Sequence, residues 1–150
     1  MSRRKNEIEL IARGIVTDGS GNILLCRNVK HGYHYLPGGH VEFGEQAAAA
    51  LAREFMEETG AVVQVGHLAL VTENIFSVKD ETCHEINLVF HVKPSPSAVF
   101  QSRESKIAFD WVPISDLRSH DVRPSSIGEW IMDHALTLST AVGPWLSATI

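Results

Sequence analysis

Three glutamates crowd the end of one Ala-rich segment, and they constrain the chain more than any other feature. In "GGHVEFGEQAAAALAREFMEETGA", residues 39–61, the alanines and Leu51 favour helix and Gly60 offers a stop. A helix is therefore predicted over Glu45–Thr59. Glu54, Glu57 and Glu58 then stand at i, i+3 and i+4, on one helical face. They sit at the end where the helix dipole leaves partial negative charge, and each like-charged pair costs about 0.2–0.5 kcal/mol in an isolated helix. A surface helix with no other duty would end in Lys or Arg. Local rules broken together mark a functional site, and a bound cation is the direct remedy.

The rest of the chain reads as strands and turns around that helix. "IELIARGIVTD" alternates apolar residues and predicts a strand; "DGSGN" is a turn and "NILLCRNV" a second strand. "KHGYHYLPGGHVEFGE" reads as a loop, in which His31, His34 and His40 are taken as solvated. "AVVQVGHLALVTENIFSV" predicts a long strand bent at Gly66, followed by strands "HEINLVFHV" and "IAFDWVPI" with the loop "KPSPSAVFQSRESK" between them. "ISDLRSH" predicts a short helix capped by Ser115, and "PSSIGEWIMDHALTL" an amphipathic one. The apolar tail "STAVGPWLSATI" is expected to dock on the body of the protein. The pattern is a mixed sheet covered by two or three helices.

Composition narrows the function classes. A chain of 150 residues with 44% hydrophobic content suits one domain with a real core. A net charge of −5, with no long run of one sign, argues against nucleic acid as a partner. No segment has the length and apolarity of a membrane span, and Glu7, Glu9 and Arg13 interrupt the N-terminal apolar run, so a cytoplasmic location is expected. Cys26 and Cys83 fall in strand-like runs and read as buried thiols, since no C-x-x-C or paired histidine completes a zinc site.

The spacing around the helix is specific. Glu45 follows Gly39 by six positions and Arg53 follows Glu45 by eight; then come Glu54, apolar Phe55, Glu57, Glu58, Gly60 and apolar Ala61. This pattern resembles the Nudix hydrolase signature, G-x5-E-x7-R-E-U-x-E-E-x-G-U with U bulky or apolar; only Ala61 is small for its class. "LPGGHVEFGE" resembles the usual entry to that motif, "NILLCRN" the strand before it, and "FDWVPISDL" the closing strand and short helix. The resemblance covers residues 8–120 and leaves the last thirty without a family mark.

The chemistry fits the residues. Putting water onto the phosphorus of a diphosphate means working among negatively charged oxygens, which hard divalent cations neutralise while lowering the pKa of bound water. The resemblance implies an α+β Nudix fold: an α/β/α sandwich with a mixed sheet and a loop–helix–loop motif, as one domain over residues 1–150. It implies Mg2+ or Mn2+ as cofactor, with Glu54 and Glu58 as ligands, Glu57 as ligand or water-orienting base, and the Gly38 carbonyl as a further ligand. Arg53 and Glu45 would pair to brace the motif. Glu104, in the loop before "WVPI", would bring a carboxylate from outside the motif, with Glu81 and Glu85 as competitors. Arg27, at the end of the second strand, would lie near phosphate, and Tyr35 would stack on a base or pack. "NIFSVKD" has neither the proline of ADP-ribose enzymes nor the tyrosine of diadenosine-polyphosphate enzymes. That leaves a MutT-like pyrophosphohydrolase acting on a nucleoside triphosphate or similar small nucleotide, with room for a homodimer. The alternatives are an RNA 5′-pyrophosphohydrolase and a non-catalytic nucleotide-binding regulator.

Overall fold

The computed structural model of the chain describes residues 6–138. Among the described residues, seven strands form two sheets. In the first, β1 (Ile8–Ile15) lies between β4 (Gly38–His40) and β6 (Glu81–Pro94), and β5 (Val63–Val78) pairs with β6 on the outside. β1 runs parallel to β6 and the other pairs are antiparallel, so this four-stranded sheet is mixed. The second is antiparallel: β2 (Asn22–Asn28) between the two-residue β3 (His34–Tyr35) and β7 (Ile107–Pro113).

Strand alternation sends neighbouring residues to different cores. Ile23 and Leu25 join Ile15, Leu36, Val89, Val112, Ile127 and Ile131 on one side, where helix α2 (Ser125–Asp133) packs. Leu24 points the other way, with Ala12, Leu88 and Phe90 against helix α1 (Ala47–Thr59). A sheet layer with a helix on each side is the α/β/α sandwich expected. α1 buries Ala47, Ala50, Leu51 and Phe55, the i, i+3, i+4 and i+8 stripe that its sequence spells. Burying a Leu or Phe fully contributes about 1.5–3 kcal/mol, so this stripe fixes the helix and, along the same side towards its C-terminal end, the half-buried Glu54 and Glu58. Gly60 ends α1 at φ 75° and its N–H bonds the Met56 carbonyl, the left-handed stop that its position predicts.

Several boundaries differ from expectation. The loop before α1 contains β3 and β4, too short for a periodic signal; α1 starts at Ala47, with Gln46 at the cap position, rather than at Glu45. The irregularity expected at Gly66 is present: the β5–β6 register shifts between Val65 and Leu68 and again before Leu70. β6 starts three residues early because Lys79 and Asp80, both at positive φ, form a tight turn that lets pairing run to Val78–Glu81. "ISDLRS" is a 3-10 turn with Pro113, not Ser115, at its cap position, and α2 is shorter than its pattern. The tail from Ser139 onward lies outside the described residues. Among the described residues no helix is long and apolar enough to cross a membrane.

Candidate active site

Arg53, on the exposed flank of α1, ties the loop to the helix. Its Nε donates to Glu45 Oε1 at 2.8 Å and its Nη2 to Glu45 Oε2 at 3.1 Å, a two-point fork. The same Nη2 donates to the His40 carbonyl at 3.1 Å, and Glu45 Oε2 also accepts the Glu42 backbone N–H. The remaining nitrogen, Nη1, donates to Glu54 and Glu57 at 3.2 Å each. The guanidinium beside it holds the Glu45 carboxyl below its ordinary range.

The three crowded glutamates differ in environment. Glu57 is exposed. Glu54 is half-buried, and burial raises its carboxyl while Arg53 pulls it down. Glu58 is the most perturbed: burial, then Glu54, then Glu104, push its carboxyl to about 7, and the cation Arg13 offsets only part of this. Glu104 is thus near enough for its charge to act on Glu58. Its loop is docked there by a backbone bond from Arg103 N–H to the Glu58 carbonyl at 2.9 Å. Glu81 lies at the far tip of the β5–β6 hairpin, and Glu85 is buried on β6 opposite Asn74.

Both glycines before the motif are required by close approach. A methyl at Gly39 would run into the Glu54 carboxylate, and one at Gly38, where φ is 147°, into the Ala12 carbonyl. The strand β4 thus presses against the glutamate-bearing end of α1.

Tyr35 sits on this side of the second sheet, paired with Cys26, and burial with the nearby Cys26 and Glu58 pushes its phenol up. Arg27 is one residue along and so points to the opposite face. There its Nε donates to Asp110 at 2.7 Å, and Asp110 also bonds His34 Nε2 at 3.2 Å. The structure does not bring Arg27 to the glutamates. His34, expected to be solvated, is buried instead, because β3 inserts it between β2 and the Asp121–Arg123 segment.

Arg13 was not singled out by sequence. It donates from Nε to Asn87 Oδ1 and from Nη1 to the Leu36 carbonyl, both at 3.2 Å, and lies 5.5 Å from the Tyr35 ring centroid. The signal was present: in "IELIARGI" it is a charge on the same strand face as core residues Ile11 and Ile15.

The donors gathered here are carboxylate and backbone oxygens, the hard set that suits Mg2+ or Mn2+ rather than a thiophilic metal. The raised carboxyl at Glu58 reflects burial first and then the negative charge of Glu54 and Glu104, which Arg13 only partly offsets; a divalent cation fits that environment. Among the described residues no three such side chains already converge as a ligand set. Glu54 and Glu57 turn instead to Arg53 Nη1.

Known proteins match this arrangement. The family profile described as NUDIX domain matches residues 9–132. A MutT-like protein of Streptomyces ambofaciens is 36% identical over 99 residues, covering 66% of this chain and 60% of that protein. The match thus spans less than two thirds of that relative. Among solved structures, a mutator MutT protein from Bacillus halodurans superposes with a TM-score of 0.68 at 21% identity, over 86% of this chain and 82% of that one. A MutT NUDIX hydrolase from Burkholderia pseudomallei does so with a TM-score of 0.62 at 23% identity, over 73% and 86%. At these identities the structural likenesses speak for the fold.

Proposed function

We propose, from the premise that the chain belongs to the Nudix family, that it is a divalent-metal-dependent pyrophosphohydrolase acting on a nucleoside triphosphate or a similar small nucleotide. The observation that carries this is the Glu58 carboxyl, raised to about 7 by burial and then by the nearby charges of Glu54 and Glu104, on the helix end that also bears Glu57. Such crowding is costly unless a cation or a proton relieves it. Glu54, Glu58, Glu104 and the Gly38 carbonyl are assigned to hold Mg2+ or Mn2+, and Glu57 to hold metal or to orient the attacking water. When bound, the ion neutralises phosphate oxygens and lowers the pKa of a coordinated water.

The chain's own groups do the rest. Arg53 fixes the Glu45 loop to α1 and aims Glu54 and Glu57 through Nη1. The exposed Glu57 carboxylate takes the proton from the water as its oxygen bonds phosphorus and the bridging P–O bond breaks. Tyr35, on β3 of the second sheet, is near enough to Glu58 to feel its charge. The test is a hydrolysis screen over nucleoside triphosphates, nucleotide sugars, dinucleoside polyphosphates and triphosphorylated RNA, with Mg2+, with Mn2+ and with chelator. Hydrolysis that stops in chelator and returns with metal is expected. Full turnover in excess chelator would overturn the mechanism, and tight nucleotide binding without turnover would favour a regulator.

A further inference from the structure

Helix α1 has no basic residue in its last turn, although the dipole leaves partial negative charge there and three glutamates add to it. The loop between β6 and β7 supplies the missing cation. A methyl at Gly60 would run into the Arg103 guanidinium, so that group lies directly against the glycine that ends the helix. The Arg103 backbone N–H donates to the Glu58 carbonyl at 2.9 Å, one of the last-turn carbonyls that a helix leaves without an internal partner. Main chain and side chain of one residue thus grip the end of α1 together.

The next residue is Glu104, and Ser102 folds its backbone into a hook. Ser102 Oγ accepts the Glu104 N–H at 3.0 Å and donates to the Glu104 carbonyl at 2.8 Å. From this hook the Glu104 charge reaches Glu58. The root of the loop is held separately. Phe100 packs edge to face on Phe55 of α1 and on Trp111 of β7, with ring centroids 5.9 and 6.1 Å apart. Loss of the Arg103 side chain therefore frees the tip of the loop without detaching the loop from the core.

We propose that Arg103 is a positioning residue: its guanidinium, seated on Gly60, holds the hook of residues 102–104 against the end of α1 and so presents the Glu104 carboxylate to the metal that Glu54 and Glu58 bind. This rests on the metal-dependent reading above. The role is separable from charge by sign. A cation beside a divalent ion repels it, so on electrostatics alone removing Arg103 would tighten metal binding. Removing a group that orients a ligand weakens binding instead, by about 10–100-fold.

The experiment titrates Mn2+ into the metal-stripped full chain by calorimetry, for wild type, Arg103→Ala, Arg103→Lys, Glu104→Gln and the double variant of Arg103→Ala with Glu104→Gln. Arg103 is exposed, so its replacement leaves the core untouched. Arg103→Ala should weaken Mn2+ binding about tenfold, and Glu104→Gln by a similar factor. The double variant should bind no more weakly than the weaker single one, because two residues that act through one ligand do not add. Arg103→Lys, which returns a cation on a long stem to the same helix end, should recover most of the loss. Unchanged or tighter binding in Arg103→Ala overturns the role, as does weakening there without weakening in Glu104→Gln, or losses that multiply in the double variant. Each of those results leaves the metal site of Glu54 and Glu58 standing, whereas wild type that takes up no Mn2+ sinks both readings.

Discussion

Replacing Glu58 with Gln should make the metal-free protein more stable, by an amount that grows with pH. In the fold this carboxyl titrates at about 7 against an ordinary 4.5. The native state therefore binds the proton more tightly than the unfolded chain. That contribution to stability is complete below about pH 4.5 and is lost as pH rises through 7. At about 1.36 kcal/mol per tenfold change, the ionised carboxylate costs about 1 kcal/mol at pH 5 and about 3 kcal/mol at pH 8. Gln keeps the shape, cannot ionise and escapes this cost. In excess chelator, urea denaturation should show the variant ahead of wild type by a margin that widens by about 2 kcal/mol between pH 5 and pH 8. For a chain of this size that is a relative gain of about 4–8 °C in Tm. Saturating Mg2+ should close the gap, since a ligand at a hundred times its Kd adds about 2.7 kcal/mol to the protein that binds it. A margin that stays flat with pH, or a variant less stable than wild type at pH 8 in chelator, would refute the placement of Glu58 among uncompensated carboxylates.

Other substitutions test separate parts of the site. Arg53→Lys keeps the charge but cannot hold both Glu45 oxygens and the His40 carbonyl; hydrolysis should fall at least tenfold, with about 1.5–3 kcal/mol of stability lost in urea denaturation. Wild-type kinetics would show that the brace is dispensable. Gly39→Ala places a methyl against the Glu54 carboxylate; the Mg2+ concentration for half-maximal hydrolysis should rise while circular dichroism stays the same. An unaltered metal requirement would remove Glu54 from the ligand set. Glu104→Gln should lower kcat more than it raises KM and barely move Tm, because the residue is exposed. Loss of turnover in Glu81→Gln or Glu85→Gln instead of Glu104→Gln would transfer the role to the hairpin.

What the sequence made legible, and what it hid, follows from the range of each interaction. The spacing of Glu54, Glu57 and Glu58 is read through helix periodicity, a local rule, whereas the contact of Arg53 with Glu45, which lies in the loop before α1, was accessible only by resemblance. Glu104 beside Glu58 was accessible only by resemblance, since the two are 46 positions apart and meet through a loop docked on the end of α1. β3 and β4 are two and three residues long and exist because β2 and β1 offer them partners; no period is visible in so few residues. His34 looked solvated because it falls in a loop punctuated by proline and glycines, and its burial comes from Val122 pairing alongside it. Arg13 and Asn87 were the costliest omissions. Each is a polar residue on a strand face that also carries core residues, which reads as noise until the parallel β1–β6 pairing brings the two together.

The same pairing logic explains why arginine, and no other cation, stands at position 53. One edge of its guanidinium, Nε with Nη2, is committed to Glu45 and the His40 carbonyl, and it holds loop to helix whatever happens at the glutamates. The other edge, Nη1, serves Glu54 and Glu57 through two longer bonds of 3.2 Å each. A cation that claims those two carboxylates has to displace only Nη1, so the ligands can be released without loosening the frame that positions them. A lysine would have to choose between the tasks, because a single ammonium cannot present two separate edges. Arg53 thus pairs Glu54 and Glu57 at the like-charged end of α1, while Glu58, which Arg53 does not contact, keeps a carboxyl raised by burial first and then by Glu54 and Glu104.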